Sequence, residues 1–147
     1  MPSILGLTQN MQALGAVLPV SIGVPDVVRR VLTERNEAIP APVQVQALID
    51  TGATRTCISP DVCQKLSLKP HGAAKMLTAG EPIYAHVYNI YMHIQIGPGN
   101  IVVIDPITVF APPLAGPGNV QCLIGRDMLA NASFTYLGYA NIFSLSI

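Results

Sequence analysis

Residues 47–53 read Ala47-Leu48-Ile49-Asp50-Thr51-Gly52-Ala53, an apolar run that stops at one carboxylate and turns at once. Upstream, Val43, Val45, Ala47 and Ile49 alternate with Gln44, Gln46 and Leu48, the period-two pattern of a half-buried strand. Asp-Thr-Gly then breaks the pattern, because aspartate and glycine are turn formers. An ionised carboxylate at the end of such a strand is costly to bury unless it is paired or hydrogen-bonded. Asp50 is therefore expected to have a partner and a chemical task.

Downstream of that turn, Thr56 to Ser59 resumes a short strand. Ser59-Pro60-Asp61 then opens a short helix, with a capping side chain, proline in the first turn, and Val62, Leu66 and Leu68 facing inward. Residues 72–96 read as a long hairpin whose tip is Thr78-Ala79-Gly80-Glu81-Pro82. On its return limb Tyr88, Ile90, Met92, Ile94 and Ile96 share one face, and Asn89, Tyr91, His93 and Gln95 the other. Gly97-Pro98-Gly99-Asn100 is a turn, Ile101 to Ile104 and Ile107 to Ala111 are two strands, and Pro112 to Asn119 is a proline- and glycine-rich loop.

A second apolar run ending in glycine follows, Cys122-Leu123-Ile124-Gly125, with a short helix over Arg126-Asp127-Met128-Leu129-Ala130. Ser133 to Leu137 and Asn141 to Ile147 are closing strands. Upstream of Val43, the first strand is expected over residues 15–24, with Pro19 suited to an edge. Residues 25–42 form an inserted helix and loop, with Val27, Val28, Val31 and Leu32 on one side of the helix. Strand and turn signals at such short spacing predict a single all-β domain over residues 1–147, with one or two short helices.

Composition narrows the function classes. A chain of 147 residues buries enough surface to fold without disulfides, and its three cysteines, Cys57, Cys63 and Cys122, are an odd count with no C-x-x-C. Buried free thiols are expected. Eight basic and eight acidic residues cancel, and no basic cluster marks a nucleic-acid surface. Only 11% of residues are charged while 50% are hydrophobic, which suits a chain that hides part of its surface in an oligomer. No stretch reads as a leader peptide or reaches the length of a membrane span, so a cytoplasmic location is expected.

Leu48-Ile49-Asp50-Thr51-Gly52-Ala53 and Leu123-Ile124-Gly125-Arg126-Asp127-Met128 form a weak internal repeat: apolar strand, tight turn, short return element. With the hairpin that carries Gly80 near its tip, these motifs stand in the order found in the retropepsin-like aspartic proteases, the single-lobed relatives of pepsin. The chain resembles that family over about Val17 to Ile147. The resemblance implies the retropepsin-like acid-protease fold, closed by strands into a homodimer, and an aspartic endopeptidase with no metal or organic cofactor. Asp50, Thr51 and Gly52 would be catalytic. Ala53, Thr54, the flap residues Thr78, Ala79 and Gly80, and Leu123 would contact an extended peptide, with pocket walls also near Pro113 and Val120. Gly125, Arg126 and Asp127 would support the site.

One chain offers one Asp-Thr-Gly, and its other carboxylates fall in helix, loop or turn contexts. The second catalytic aspartate is therefore expected from a second copy of the chain. Thr51 would brace the two turns across the two-fold, and Asn141 to Ile147, with the N-terminal residues, would join a shared sheet. In retroviral members the position of Thr54 is commonly acidic and pairs with the arginine matched by Arg126. Here that partner is replaced, leaving Arg126 to backbone carbonyls or to Asp127. Two other readings of the residues stay open: a protease-fold dimerisation or peptide-binding module without turnover, and a β domain binding metal through cysteines and histidines.

Overall fold

The computed structural model describes residues 3–96, 98–114 and 119–147. In chain order the strands are β1 (Ser3–Leu7), β2 (Val17–Gly23), β3 (Val43–Ile49), β4 (Cys57–Ile58), β5 (Gly72–Met76), β6 (Ile83–Gln95), β7 (Ile101–Ala111), β8 (Val120–Ile124), β9 (Ser133–Leu137) and β10 (Ile142–Ser146). Short helices α1 (Met11–Leu14), α2 (Asp26–Glu34), α3 (Pro60–Lys65) and α4 (Arg126–Leu129) interrupt them, with a 3-10 turn at Gly138–Ala140. The all-β expectation holds, and the first strand expected from the sequence is the second: β1 and α1 precede it. Among the described residues no helix is long and apolar enough to cross a membrane.

Seven strands are ordered β2-β3-β8-β4-β7-β6-β5, and a further pairing of β2 with β6 closes the first six into a ring. Closure removes the edges that six strands would otherwise leave open, and only β5 hangs outside the ring on β6. The inner faces of β2, β3, β6, β7 and β8 converge on Leu18, Val20, Ile22, Ala47, Ile90, Met92, Ile94, Val109 and Ile124, all almost wholly buried. Pro19 sits where β2 pairs with β3 alone, since the β6 pairing starts at Val20. Its missing N–H therefore breaks no ladder bond on the open side.

Two features differ from the sequence reading. The strands expected over Ile101–Ile104 and Ile107–Ala111 are one strand, β7, because Asp105 and Pro106 are absorbed as a bulge: Ile104 pairs with Met92 and Ile107 with Ile90. Opposite that bulge Tyr91 keeps the face it shares with His93, their rings 4.4 Å apart, yet is buried at 4% exposure. Its ring fills the space over Gly23, where a Cβ would lie 2.4 Å from ring carbons.

The inserted helix α2 is attached through charge. Arg29 lies over the Tyr91 ring, 4.9 Å from its centroid, and its Nη2 donates to Asp105 Oδ2 at 3.2 Å. The same carboxylate accepts from the Asp26 backbone N–H at 3.3 and 3.1 Å, which anchors the first turn. The apolar side of the helix does not face the core: Val27, Val28 and Val31 are exposed.

The terminal strands form a separate sheet ordered β1-β10-β9. Its inner face packs Phe143 and Leu145 into the core, and Gly6 leaves room for the Phe143 ring. The C-terminal strand, expected to join a shared sheet, is already paired on both sides within its own chain. The open edges of this sheet belong to β1 and β9. The expected turn at Gly97 and loop at 112–119 lie partly outside the described residues.

Candidate active site

The parallel pair β3 and β8 places the two apolar runs side by side, with Ala47, Leu48 and Ile49 opposite Cys122, Leu123 and Ile124. The residues that follow, Asp50 and Gly125, therefore leave the sheet together. The Asp50 N–H donates to the Ile124 carbonyl at 3.0 Å, continuing the ladder by one bond. Ala53 N then donates back to the Asp50 carbonyl at 3.1 Å, and Gly52 N donates to Asp50 Oδ1 at 2.9 Å. These bonds fix the carboxylate at the mouth of the turn. Asp50 is half-buried, and Thr51 and Gly52 are exposed. Among the described residues Asp50 Oδ2 has no partner within the chain.

The second loop locks the first from behind. A Cβ on Gly125 would lie 2.5 Å from the carbonyl carbon of Arg55 and 2.9 Å from Thr56 N, so the backbone of residues 55–56 crosses directly over it. Two backbone bonds join the loops, Arg126 N to the Ala53 carbonyl at 2.9 Å and Asp127 N to the Thr54 carbonyl at 3.3 Å. Asp127 accepts from Thr56 N at 3.0 and 2.9 Å, from Thr56 Oγ1 at 2.7 Å and from Met128 N at 2.9 Å. Thr56 Oγ1 in turn accepts from Gly125 N at 3.1 Å. This network points inward and takes up both carboxylate oxygens of Asp127.

Arg126 corrects the sequence reading in part. Its Nη1 donates to the carbonyls of Thr51 at 2.8 Å and Gly52 at 3.1 Å, as expected of a residue held by backbone, while Asp127 plays no part in holding its guanidinium. Its Nη2 donates to Thr54 Oγ1 at 3.0 Å. The threonine thus keeps the pairing with Arg126 through a neutral hydroxyl, against the expectation that this partner is lost. Thr56 is the residue that sequence reasoning missed. It is fully buried just ahead of β4, and a lone threonine there carries no periodic or motif signal of its partner across the fold.

The thiols are electrostatically quiet. Burial, then the charges of Asp127 and Asp50, push the Cys57 thiol up to about 11, and burial pushes Cys63 up to about 11. Cys122, wholly buried, is shifted further in the same direction, by burial first and then by Cys57 and Asp127. All three are free, and a thiol that holds its proton is a poor nucleophile or metal ligand. Among the described residues no group of three or more His, Cys, Asp or Glu is placed to hold a metal ion.

The structure brings Asp50 to Thr54 together with Leu123 and Gly125 to Asp127, but it does not bring the hairpin tip to them. Thr78, Ala79 and Gly80 are exposed, and the tip is closed by bonds of its own: Thr78 Oγ1 donates to the Glu81 carbonyl at 3.0 Å and accepts from Gly80 N at 3.2 Å. Leu123 is half-buried, paired with Leu48 in β3 and with Cys57 in β4. Of the other expected pocket walls, Val120 is half-buried and Pro113 exposed.

A family model described as "Aspartyl protease" matches residues 40–128, a span that runs from the strand before Asp50 into α4. The chain belongs to the aspartyl protease family. Among solved structures this aspartyl protease is similar to a retropepsin-like aspartic protease from Rickettsia conorii. The likeness has 16% identity and a TM-score of 0.50, and covers 97% of this chain and 92% of that one. It is also similar to the protease of simian foamy virus (mac) at 17% identity and a TM-score of 0.42, covering 77% of this chain and 92% of that one. No curated protein matches. The fold of this aspartyl protease is retropepsin-like, as its sequence motifs imply.

Proposed function

We propose that the protein is a homodimeric aspartic endopeptidase in which the Asp50 side chains of two chains face each other and activate one water. The observation that carries this reading is the contrast between the two aspartates of the site. Asp127 spends its carboxylate on Thr56 and Met128, whereas Asp50 is oriented by Gly52 and keeps one oxygen free at an exposed turn. The internal repeat supplies Gly125 beside Asp50, so a second catalytic carboxylate has to come from another copy.

Two like charges at close range do not both ionise easily, so such a pair shares one proton. The ionised member takes a proton from water as the oxygen attacks the peptide carbonyl, while the protonated member donates to the carbonyl oxygen. Collapse of the tetrahedral adduct returns a proton to the leaving nitrogen. Thr51, exposed beside Asp50, would brace the partner turn, and Gly52 would let the substrate backbone approach. Ala53, Thr54 and Leu123 would line the cleft. The hairpin tip at Thr78, Ala79 and Gly80 would fold down over an extended peptide and exclude water.

Association is supported by the outer face of the terminal sheet. Leu5 and Leu7 are each 74% exposed there, and Leu7 pairs with Ile142, which pairs with Leu137. An apolar strip on an open-edged sheet is a surface that a second copy can cover. The test is cleavage of a fluorogenic peptide library across acidic to neutral pH, run beside analytical ultracentrifugation. Turnover that requires the dimer and is abolished in Asp50→Asn is expected; turnover by a strict monomer would sink the reading.

A further inference from the structure

The ion pairs found among the described residues all lie at α2, where Arg29 and Arg30 meet Asp26 and Asp105. Arg126 is committed to Thr51, Gly52 and Thr54. Arg55 differs from these. It is exposed, stands five residues after Asp50 on the same loop, and its guanidinium has no carboxylate partner among the described residues. It rests instead on the ring of Phe110, 5.8 Å from its centroid.

The position of that ring fixes where the charge sits. Phe110 in β7 pairs with Cys57 of β4 on one side and with Val87 of β6 on the other, and Val87 faces Gly72 where the flap hairpin leaves the barrel. The Arg55 guanidinium therefore reaches from the Asp50 loop over β7, two strands from Gly72 at the base of the flap. Its backbone cannot drift, because its carbonyl carbon packs under Gly125 and the following N–H is held by Asp127. A rigid backbone and an aromatic rest reduce the side-chain freedom lost when the guanidinium is engaged, which is the condition for a selective contact. Five N–H donors in a planar fork match a carboxylate.

We propose that Arg55 is a specificity-determining residue of the cleft and receives a glutamate or aspartate side chain of the bound peptide. The inference rests on the proposed protease reading for the cleft, but its test does not need turnover. Extended peptides that are identical except for Glu, Gln or Lys at one guest position, scanned along the peptide, are titrated by fluorescence anisotropy against dimeric protein carrying Asp50→Asn. At one guest position the Glu peptide should bind roughly three- to tenfold tighter than Gln, with the difference shrinking as salt is raised. Arg55→Gln should erase that difference, Arg55→Glu should reverse it in favour of Lys, and Arg55→Lys should restore part of it. Thermal melts of each variant show whether it is folded. Equal affinity for Glu and Gln at every position, a Glu preference that survives Arg55→Gln, or no binding of any peptide would overturn the assignment. Failure of the protease reading has a different signature, namely peptide binding by the protein with its native Asp50 and no Asp50-dependent cleavage.

Discussion

A methyl group at position 125 would overlap the Arg55 carbonyl carbon and Thr56 N, and both belong to backbone that is pinned from the other side. Gly125→Ala should therefore destabilise the protein by about 2 kcal/mol or more, read as a lower urea midpoint with unchanged slope. Asp127→Ala removes the acceptor for Thr56 N, Thr56 Oγ1 and Met128 N and leaves buried donors unpaired. A loss of about 3 kcal/mol is expected in the same measurement, with Asp127→Asn intermediate. The thiols set an alkaline limit. Their folded-state values lie above the unfolded value of 9.0, at about 11 for Cys57 and Cys63, so they stay protonated in both states at neutral pH. As pH rises through that window the unfolded chain ionises first and stability falls. Denaturant midpoints between neutral and strongly alkaline pH should show this decline, and Cys57→Ser with Cys63→Ser should reduce it. Asp50 and Arg126 were legible in sequence because each belongs to a short motif. Thr56 was not, since its role is written in a carboxylate that the fold brings to it from α4.

At the scale of elements, the period-two stretch at Val43–Ile49, the capped helix at Pro60–Lys65 and the long hairpin were readable because each is a local pattern. What could not be read was where pairing partners overrule that pattern. The Asp105-Pro106 bulge merges two expected strands into β7, Arg29 of α2 covers Tyr91 on the face opposite Ile90 and Met92, and the strand β1 finds its definition only against β10. Helix α2 is the clearest case. Its valines suggested an apolar contact, yet its attachment runs through Arg29, Asp105 and Tyr91. Asp105→Ala should accordingly release the helix by about 1–2 kcal/mol while leaving the barrel intact. Hydrogen exchange would show it as faster exchange over residues 26–34 with β2, β3 and β8 still protected.

For the whole molecule, the closed ring supplies a rigid support and the terminal sheet supplies the surface through which two copies would meet. If catalysis needs both, activity per chain should fall on dilution, and charge placed on the apolar strip should act at a distance from the cleft. Leu5→Glu combined with Leu7→Glu is expected to shift sedimentation toward the monomer and to lower specific activity at least tenfold at micromolar concentration, without unfolding the monomer. The dimer was suggested by sequence through arithmetic, one Asp-Thr-Gly for a two-carboxylate reaction. The sequence also pointed to the terminal strands as the shared surface, but not to the outward-facing Leu5 and Leu7, whose exposure depends on which strand faces which.

The antiparallel pairing of Ser3 with Ser146 holds the two extremities of the fold as neighbours on adjacent strands. Their separation is a single strand spacing, about 5 Å. A loop of a few glycines could therefore splice the end of the chain to its start, and the chain could be reopened at the exposed hairpin tip without cutting the closed ring. If two copies meet through their terminal sheets, as proposed, they could also be fused in tandem with little linker. Such a fusion would turn a meeting of equals into one polypeptide whose two halves are free to diverge.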